Sequence, residues 1–252
     1  TSLVHRKGTQ SLAAYSFEYD IADRITMTTS ADGVSNYQYD VRSQLTQANH
    51  AAQPNEVYTY DANGNRTGND NQTGLNNRLV EDAQFRYEYD DEGNRTLRVD
   101  KNSGDRTEYE WDYRNRLTSV IVRNNTGALT SRAQYVYDPM DNRIGKIVDS
   151  DGDGPAQAVE QRFVYDGLHL TLAFDGVGNL THRYLHGLSI DSVLADENAL
   201  GEVLWTLPDQ LGTIRDLADN SGTVANHRVY DSFGRLVSQT DATVDTVFGF
   251  TG

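Results

Sequence analysis

Two aromatic residues separated by one position and followed by aspartate form a pattern that recurs along the first two thirds of the chain. The second aromatic and the aspartate of the seven copies are Tyr19 and Asp20, Tyr39 and Asp40, Tyr60 and Asp61, Tyr89 and Asp90, Trp111 and Asp112, Tyr137 and Asp138, and Tyr165 and Asp166. Successive copies lie 20, 21, 29, 22, 26 and 28 residues apart, within the range of about 20–50 residues that marks repeat proteins. The sequence therefore predicts an array of small units that stack on one another.

Each copy predicts one β-hairpin. Aromatic residues two positions apart project from the same face of an extended strand. The aspartate is followed by turn residues, and Gly64 and Gly93 stand where a left-handed backbone is expected. β-Branched residues then resume, as in segments 116–122 and 143–148, and they favour a second strand.

An isolated hairpin is only marginally stable in water, so each hairpin has to pack on the next. We expect the second aromatic rings of adjacent copies to lie side by side, each pair adding about 0.5–1.5 kcal/mol. Twist accumulated over many strands bends a long sheet. The predicted fold class is therefore all-β, with consecutive hairpins in a long twisted antiparallel sheet that curls into a spiral or shell. Segment 192–200 carries the best helix signal and is predicted to be a loop or a single turn.

Charge and composition exclude several classes of protein. With 22 Lys and Arg against 37 Asp and Glu, the formal net charge is −15, which argues against a nucleic-acid partner. The absence of cysteine excludes disulfides and thiolate metal sites. No apolar run reaches the roughly 18 residues of a membrane span, and the first residues lack the apolar core of a signal peptide. We expect a fragment of a longer protein whose targeting signal lies upstream.

The unit Tyr-x-Tyr-Asp-x-x-Gly-Asn-Arg, present in residues 58–66 and 87–95, resembles the YD repeat of bacterial Rhs and wall-associated proteins, Tc-toxin C components and animal teneurins. Later segments, one of them beginning with Tyr230 and Asp231, resemble the start of the Rhs repeat-associated core; they are residues 183–191, 209–215, 219–224, 230–236 and 248–252. The resemblance implies a YD-hairpin array over 1–166 and the beginning of the core over 167–252.

Some copies depart from the pattern. The first two have Ala22-Asp23 and Arg42-Ser43 in place of the Gly-Asn of the turn, and the Trp111 copy is interpreted as lacking one turn residue. These departures leave the local turn type open. They do not alter the predicted architecture.

The resemblance implies a structural role and no enzymatic one. In bacterial relatives the hairpin shell encloses a toxic C-terminal polypeptide, so the implied partner is the remainder of the same polypeptide, and the family autoprotease segment is expected beyond Gly252. The alternative is an extracellular adhesin or carbohydrate-binding β-repeat fibre, as in teneurins, with a cell-surface glycan or protein as partner. Both readings imply a protein that is secreted or at the bacterial cell surface.

One motif stands apart from the repeat. Asp149, Asp151, Asp153 and Glu160 have the spacing of a twelve-residue calcium loop, with Gly154 at the sharp turn. The flanking residues favour strands where helices usually orient the closing glutamate, so a polar hairpin tip is the alternative explanation of the segment. No cofactor is required, and Ca²⁺ is a possible ligand.

No catalytic residue is predicted. The six histidines form no metal signature, and His182 and His186 are expected to be structural. There is no cysteine nucleophile and no Gly-x-Ser-x-Gly segment. A hidden carboxylate pair is the weakest alternative, because a repeat turn accounts for nearly every aspartate.

Overall fold

The structure is a computed structural model that describes residues 1–188 and 192–251. Within them, twenty-two strands and one short 3-10 turn, Leu75–Asn77, make up the regular structure. The chain forms two compact units: Thr1–Tyr58 together with His182–Gly252, and Thr59–Thr181. The predicted all-β class of consecutive antiparallel hairpins is confirmed.

The first unit begins with a six-stranded antiparallel sheet in sequence order. Its strands are β1 (Ser2–Lys7), β2 (Gln10–Tyr19), β3 (Ile25–Ser30), β4 (Gly33–Tyr39), β5 (Leu45–His50) and β6 (Glu56–Val57).

The second unit continues the same pattern of neighbour pairing. Its strands are β7 (Gln72–Thr73), β8 (Leu79–Glu81), β9 (Phe85–Tyr89), β10 (Arg95–Asp100), β11 (Arg106–Trp111), β12 (Leu117–Arg123), β13 (Leu129–Tyr137), β14 (Arg143–Asp149), β15 (Val159–Asp166) and β16 (His169–Asp175). Side chains on one face are half-buried by their neighbours, as the alternating burial of β13 shows.

The first unit also contains the last six strands of the chain, which are one end of a sixteen-stranded antiparallel sheet and are called the second sheet of this unit. Its strands are β17 (Leu180–His186), β18 (Val193–Asn198), β19 (Val203–Pro208), β20 (Ile214–Ala218), β21 (Val224–Tyr230) and β22 (Leu236–Gln239). The prediction of a loop or single turn over 192–200 is wrong, because most of that segment is β18. Val193 and Ala195 are buried on its inner face, and the acidic residues Asp196 and Glu197 that follow them weakened the strand signal.

The largest apolar core lies in the first unit. Tyr15, Phe17 and Ala48 from its first sheet are at most 4% exposed, and Ile214 and Leu217 from its second sheet at most 1%. The two sheets therefore bury their inner faces against each other. The compact units do not divide at residue 166, so the proposed boundary between hairpin array and core stays a prediction.

Candidate functional site

The aspartate that ends the aromatic pattern closes a tight turn in six of the seven copies. The backbone N–H of Asp61 donates to the carbonyl of Asn65 at 2.9 Å, and Asp61 Oδ1 accepts from the N–H groups of Asn63 and Asn65, both at 2.9 Å. The carboxylate thus satisfies backbone donors that the strands leave open. Within residues 1–188 and 192–251, the same backbone bond from an Asp or Asn to the fourth residue beyond occurs at twelve positions, namely Asp20, Asp40, Asp61, Asp90, Asp112, Asn124, Asp138, Asp175, Asn198, Asp209, Asp219 and Asp231.

The residue three positions after the aspartate or asparagine has positive φ in all twelve turns. It is glycine in eight of them, and it is Asp23 (58°), Ser43 (64°), Asn115 (60°) and Asp141 (71°) in the others. The turn is therefore the same in the three copies whose turn type the sequence left open. The interpretation that the Trp111 copy lacks a turn residue is wrong, because Asn115 occupies the glycine position at the same spacing. Asp and Asn tolerate this backbone better than most residues.

Hydrogen bonds hold the pKa of two turn aspartates, Asp61 and Asp20, low. The side-chain amide of Asn65, followed by its backbone N–H, holds the pKa of Asp61 below its usual range. The guanidinium of Arg24 does the same for Asp20. Asp209 differs from these, because burial raises its pKa although two backbone N–H groups donate to it. Its turn places a carboxylate in a poorly hydrated setting.

An arginine links one turn to the next copy. Arg116 Nε donates to Asp112 Oδ2 at 2.7 Å, and Arg116 Nη1 donates to the backbone carbonyl of Asp138 at 3.0 Å. The guanidinium carbon lies 5.0 Å from the ring centre of Tyr137. One side chain therefore binds its own turn, the following turn and the following aromatic ring.

Arg24 makes the same contacts in the first unit. It donates to Asp20 Oδ2 at 2.7 Å and to the carbonyl of Asp40 at 3.0 Å, and it lies 4.9 Å from the ring centre of Tyr39. Arg78 bonds the Asp90 carbonyl at 2.8 Å in the second unit. We call this arrangement of arginine, turn carbonyl and ring the arginine bridge.

The second aromatic of a copy also bonds the preceding hairpin. The hydroxyl of Tyr137 donates to the carbonyl of Leu117 at 2.8 Å, and Leu117 is the first residue of β12, the strand that follows the preceding turn. Tyr39, Tyr89, Trp111 and Tyr165 donate in the same manner to Ile25, Leu79, Arg95 and Arg143.

The predicted side-by-side ring contacts between these residues are not formed. Tyr89, Trp111, Tyr137 and Tyr165 all lie in the described part of the chain, and none has a ring contact with another of them. A polar atom at the tip of each ring reaches backbone, and arginines take the positions over the faces of Tyr89 and Tyr137. The aromatic residues join hairpins as expected, but through hydrogen bonds and cation–π contacts.

Four predicted repeat residues have other surroundings. Asp166 ends β15 beside the two-residue loop 167–168, pairs with His169 and closes no aspartate turn. Tyr19 is 42% exposed. Tyr60 forms an isolated bridge with Arg66 around the Asp61 turn. Tyr230 packs on Phe250, with ring centres 5.9 Å apart.

A polar cluster between the two sheets of the first unit was not foreseen from sequence. His227 Nδ1 lies 2.6 Å from Asp216 Oδ1, and its Nε2 lies 2.8 Å from Asp32 Oδ1. Arg215 also binds Asp32, and the Tyr15 hydroxyl donates to Asp216 at 3.2 Å. The hydrogen bond with Asp216, followed by that with Asp32, raises the pKa of His227 to about 9. The imidazole is therefore a cation at neutral pH and joins carboxylates of both sheets.

His182 also pairs with an aspartate carboxylate, within the second sheet. Its Nδ1 lies 2.6 Å from Oδ1 of the buried Asp196, which raises the pKa of His182. The other oxygen of Asp196 accepts from the hydroxyl of Thr246 at 2.8 Å. Since both carboxylate oxygens of Asp196 have a partner within the protein, this group is a structural link between β17, β18 and the C-terminal segment.

The possible calcium loop connects β14 to β15. Asp149 Oδ1 accepts from the backbone N–H groups of Asp151 and Gly152, and Asp151 Oδ2 accepts from Ala156 N–H at 3.0 Å. Glu160 pairs with Arg162 at 2.7 Å. In residues 1–188 and 192–251, no three His, Asp or Glu side chains are gathered as a metal site. Calcium binding stays a prediction that requires these side chains to rearrange.

Comparison with known proteins assigns the family. The model of the Teneurin YD-shell family matches residues 4–252. The chain belongs to the teneurin YD-shell family. The resemblance to YD-repeat proteins is thereby confirmed. In the described residues, no helix has the length and apolar character needed to cross a membrane.

Three relatives of this YD-shell chain are similar in sequence. "Double-stranded DNA deaminase toxin A" of Burkholderia cenocepacia (strain H111) is 25% identical over an alignment of 244 residues, and the match covers 87% of this chain and 17% of the relative. "Teneurin-1" of Gallus gallus is 26% identical over an alignment of 195 residues, with coverage of 68% of this chain and 7% of the relative. "tRNA nuclease WapA" of Bacillus subtilis (strain 168) is 29% identical over an alignment of 177 residues, with coverage of 68% of this chain and 5% of the relative. The chain thus spans less than a fifth of each.

A solved structure of a Photorhabdus luminescens Tc holotoxin pore is also similar. The match has 12% sequence identity and a TM-score of 0.42, and it covers 95% of the YD-shell chain and 19% of the other chain.

Proposed function

We propose that this YD-shell chain is a wall segment that encloses a C-terminal toxin or effector belonging to the same polypeptide. The observation that carries the proposal is the turn with its arginine bridge, repeated along the described chain. Each bridge uses its aspartate, arginine and ring within the wall, which suits a rigid enclosing surface. Two relatives are named for a deaminase toxin and a nuclease, and the matched region is a small part of both. The wall itself has no enzymatic role in this proposal.

Enclosure is tested by protease protection in the full-length protein. We expect the C-terminal polypeptide to resist trypsin while the wall is intact. An Arg116→Ala and Tyr137→Phe double variant, which weakens one bridge, should expose it at lower denaturant. Arg106→Ala and Tyr113→Phe, of which Tyr113 is 92% exposed, form the control pair. Equal cleavage of the C-terminal polypeptide in wild type, variant and unfolded protein would contradict enclosure.

The second candidate is an extracellular adhesin or sugar-binding fibre, which the match to Teneurin-1 favours. Both candidates place the protein outside the cytoplasm, as a secreted or cell-surface protein. Binding of the isolated chain to a glycan array, with loss of binding on heat denaturation, is expected for the adhesin and not for the enclosing wall.

Calcium binding in the loop after β14 is a separate proposal. Bound Ca²⁺ should raise the melting temperature, because a ligand that binds the folded state stabilises it. Asp153→Asn should abolish the rise, whereas Asp91→Asn, in the Asp90 turn, should retain it. A melting temperature that does not change between calcium and chelator would overturn the proposal.

A further inference from the structure

The first unit contains a cavity of about 230 Å³ between its two sheets. Residues of β3, β4 and β5 form one wall, and the Asp209 turn with β20 and β21 forms the other. A water molecule takes about 30 Å³ in the liquid, so the cavity has room for a small organic group. Four six-membered aromatic rings line it, from Tyr37, Tyr39, Tyr230 and Phe250.

The charges around the cavity leave one carboxylate unmatched. Asp32 is bound by Arg215 and His227, and Asp231 pairs with Arg235 at 3.0 Å. Asp209 has no salt bridge in the described part of the chain. The single arginine of the lining is already neutralised by Asp32, so the lining carries an excess of negative charge.

Three further lining residues carry polar atoms that have no hydrogen-bond partner: His50 Nε2, Gln53 Oε1 and Ser232 Oγ. The His50 side chain is 4% exposed, and its Nε2 lies 3.7 Å from the Glu56 carboxylate, beyond hydrogen-bond distance. Burial lowers the pKa of His50, so its ring is neutral at neutral pH. Its Nδ1 lies 2.8 Å from Ser35 Oγ. When Nδ1 carries the proton, Nε2 is an acceptor that lacks a donor.

The geometry of this lining points to a ligand that supplies donors and positive charge. We propose that the cavity binds an organic cation with N–H donors, an alkylammonium or guanidinium group, with Asp209 as its counter-charge. An ammonium has three donors and a guanidinium five, and neither has an acceptor. Aromatic faces attract such cations. This site is independent of the proposed enclosing role.

Binding is measured by NMR titration of the isotope-labelled chain with agmatine, N-acetyl-arginine methylamide and the neutral N-acetyl-norleucine methylamide. Saturable shifts of resonances from Tyr37 and Thr213 are expected with the two cations and not with the neutral probe. Binding of agmatine alone identifies a small free amine as the ligand. Binding of both cations identifies an arginine-like side chain, which a protein partner could supply.

Asp209→Asn removes the negative charge and keeps a side-chain oxygen that can close the turn. Asn124 and Asn198 close the same turn with amide oxygens, so the variant should fold with an unchanged melting curve. The cation affinity should fall about tenfold or more, because a charge-assisted hydrogen bond is lost. Asp219→Asn is the matched control, since Asp219 closes the same turn in the same unit and does not line this cavity. The cation affinity of Asp219→Asn should equal that of the wild type.

Three outcomes would overturn the assignment. The first is no saturation by either cation at millimolar concentration. The second is equal binding of the neutral probe. The third is an equal loss of affinity in Asp209→Asn and Asp219→Asn, which would indicate general attraction to a chain of net charge −15.

Discussion

At the scale of single residues, the aspartate turn accepts two residue types, Asp and Asn, at its first position and four, Gly, Asp, Ser and Asn, at its fourth. Asp and Asn both present an oxygen to the same two backbone N–H groups, as Asp138 and Asn124 show. The geometry therefore depends on an acceptor at the first position and a tolerated left-handed backbone at the fourth. The charge of the aspartate is not required to close the turn.

Substitutions of Asn124 measure how much the side-chain acceptor at the first position of the turn contributes to stability. Asn124→Ala removes an acceptor for the N–H groups of Thr126 and Ala128, and it should lower the free energy of unfolding by about 1–2 kcal/mol. Asn124→Asp should leave it unchanged, because aspartate closes ten of the twelve turns. Urea unfolding of wild type, Asn124→Ala and Asn124→Asp compares their free energies of unfolding. Equal stability of Asn124→Ala and wild type would contradict the role of the side-chain oxygen.

Tyr137 separates the hydroxyl of the second aromatic from its ring. Tyr137→Phe keeps the ring under Arg116 and removes the hydrogen bond to Leu117, so the free energy of unfolding should fall by about 0.5–1.5 kcal/mol. Tyr113→Phe, at a 92% exposed position, serves as the reference. A midpoint of urea unfolding for Tyr137→Phe that matches the reference would show that the hydroxyl does not join the hairpins.

At the scale of elements, the two ends of the hairpins behave differently. The loops at the ends with the repeated aspartates all have the same length, except at Asp166. The opposite ends vary from the two residues of 31–32 to the nine residues of 150–158. The number of residues per repeat therefore varies mainly because the loops at the opposite ends differ in length, as the loop between β14 and β15 shows.

This difference predicts where the second unit tolerates insertions. Six Gly-Ser residues placed between Asp153 and Gly154 should change the free energy of unfolding by less than about 1 kcal/mol, because loop entropy grows slowly with length. The same insertion between Pro139 and Met140 separates Asp138 from its N–H donors and should lower the urea midpoint clearly more. Equal effects of the two insertions would contradict the distinction.

The sequence was sufficient to predict the hairpins, because aromatic spacing and turn residues are local signals. It was insufficient for the arginine bridge, since an arginine after a turn carries no sign of which carbonyl it will reach. The His227 cluster was equally out of reach, because Asp32 and His227 are 195 residues apart. β18 was missed because Asp196 and Glu197 are unfavourable in strands on average and are tolerated here by His182 and Arg183.

At the scale of the whole molecule, the two units depend on different interactions. The second unit consists of strands paired with their sequence neighbours. The first unit buries Tyr15, Phe17 and Leu217 and places charged groups between its sheets. Its stability should therefore depend on pH through His227.

The pKa of His227 is about 9 in the folded protein against 6.5 without its partners. A raised folded-state pKa gives stabilisation that is complete below about pH 6.5 and is lost as the pH rises through about 9. Because the ring is partly exposed, we expect a loss of about 1–2 kcal/mol.

Urea unfolding between pH 6 and 10 tests this. His227→Gln should flatten the decline relative to wild type. His182, whose pKa Asp196 also raises, adds to the decline in both proteins and cancels in the comparison. An unaltered slope in His227→Gln would contradict the ionic link.

The discontinuous first unit has a consequence for biosynthesis. Residues 1–58 leave the ribosome well before residues 182–252 are translated. Tyr15 and Phe17 are therefore exposed to solvent until the sheet that covers them has been synthesised. The intervening hairpins, which need only their nearest neighbours, can form during that interval. A nascent chain of this design therefore presents an uncovered apolar face early, and chaperones that recognise such faces would meet it before its final strands exist.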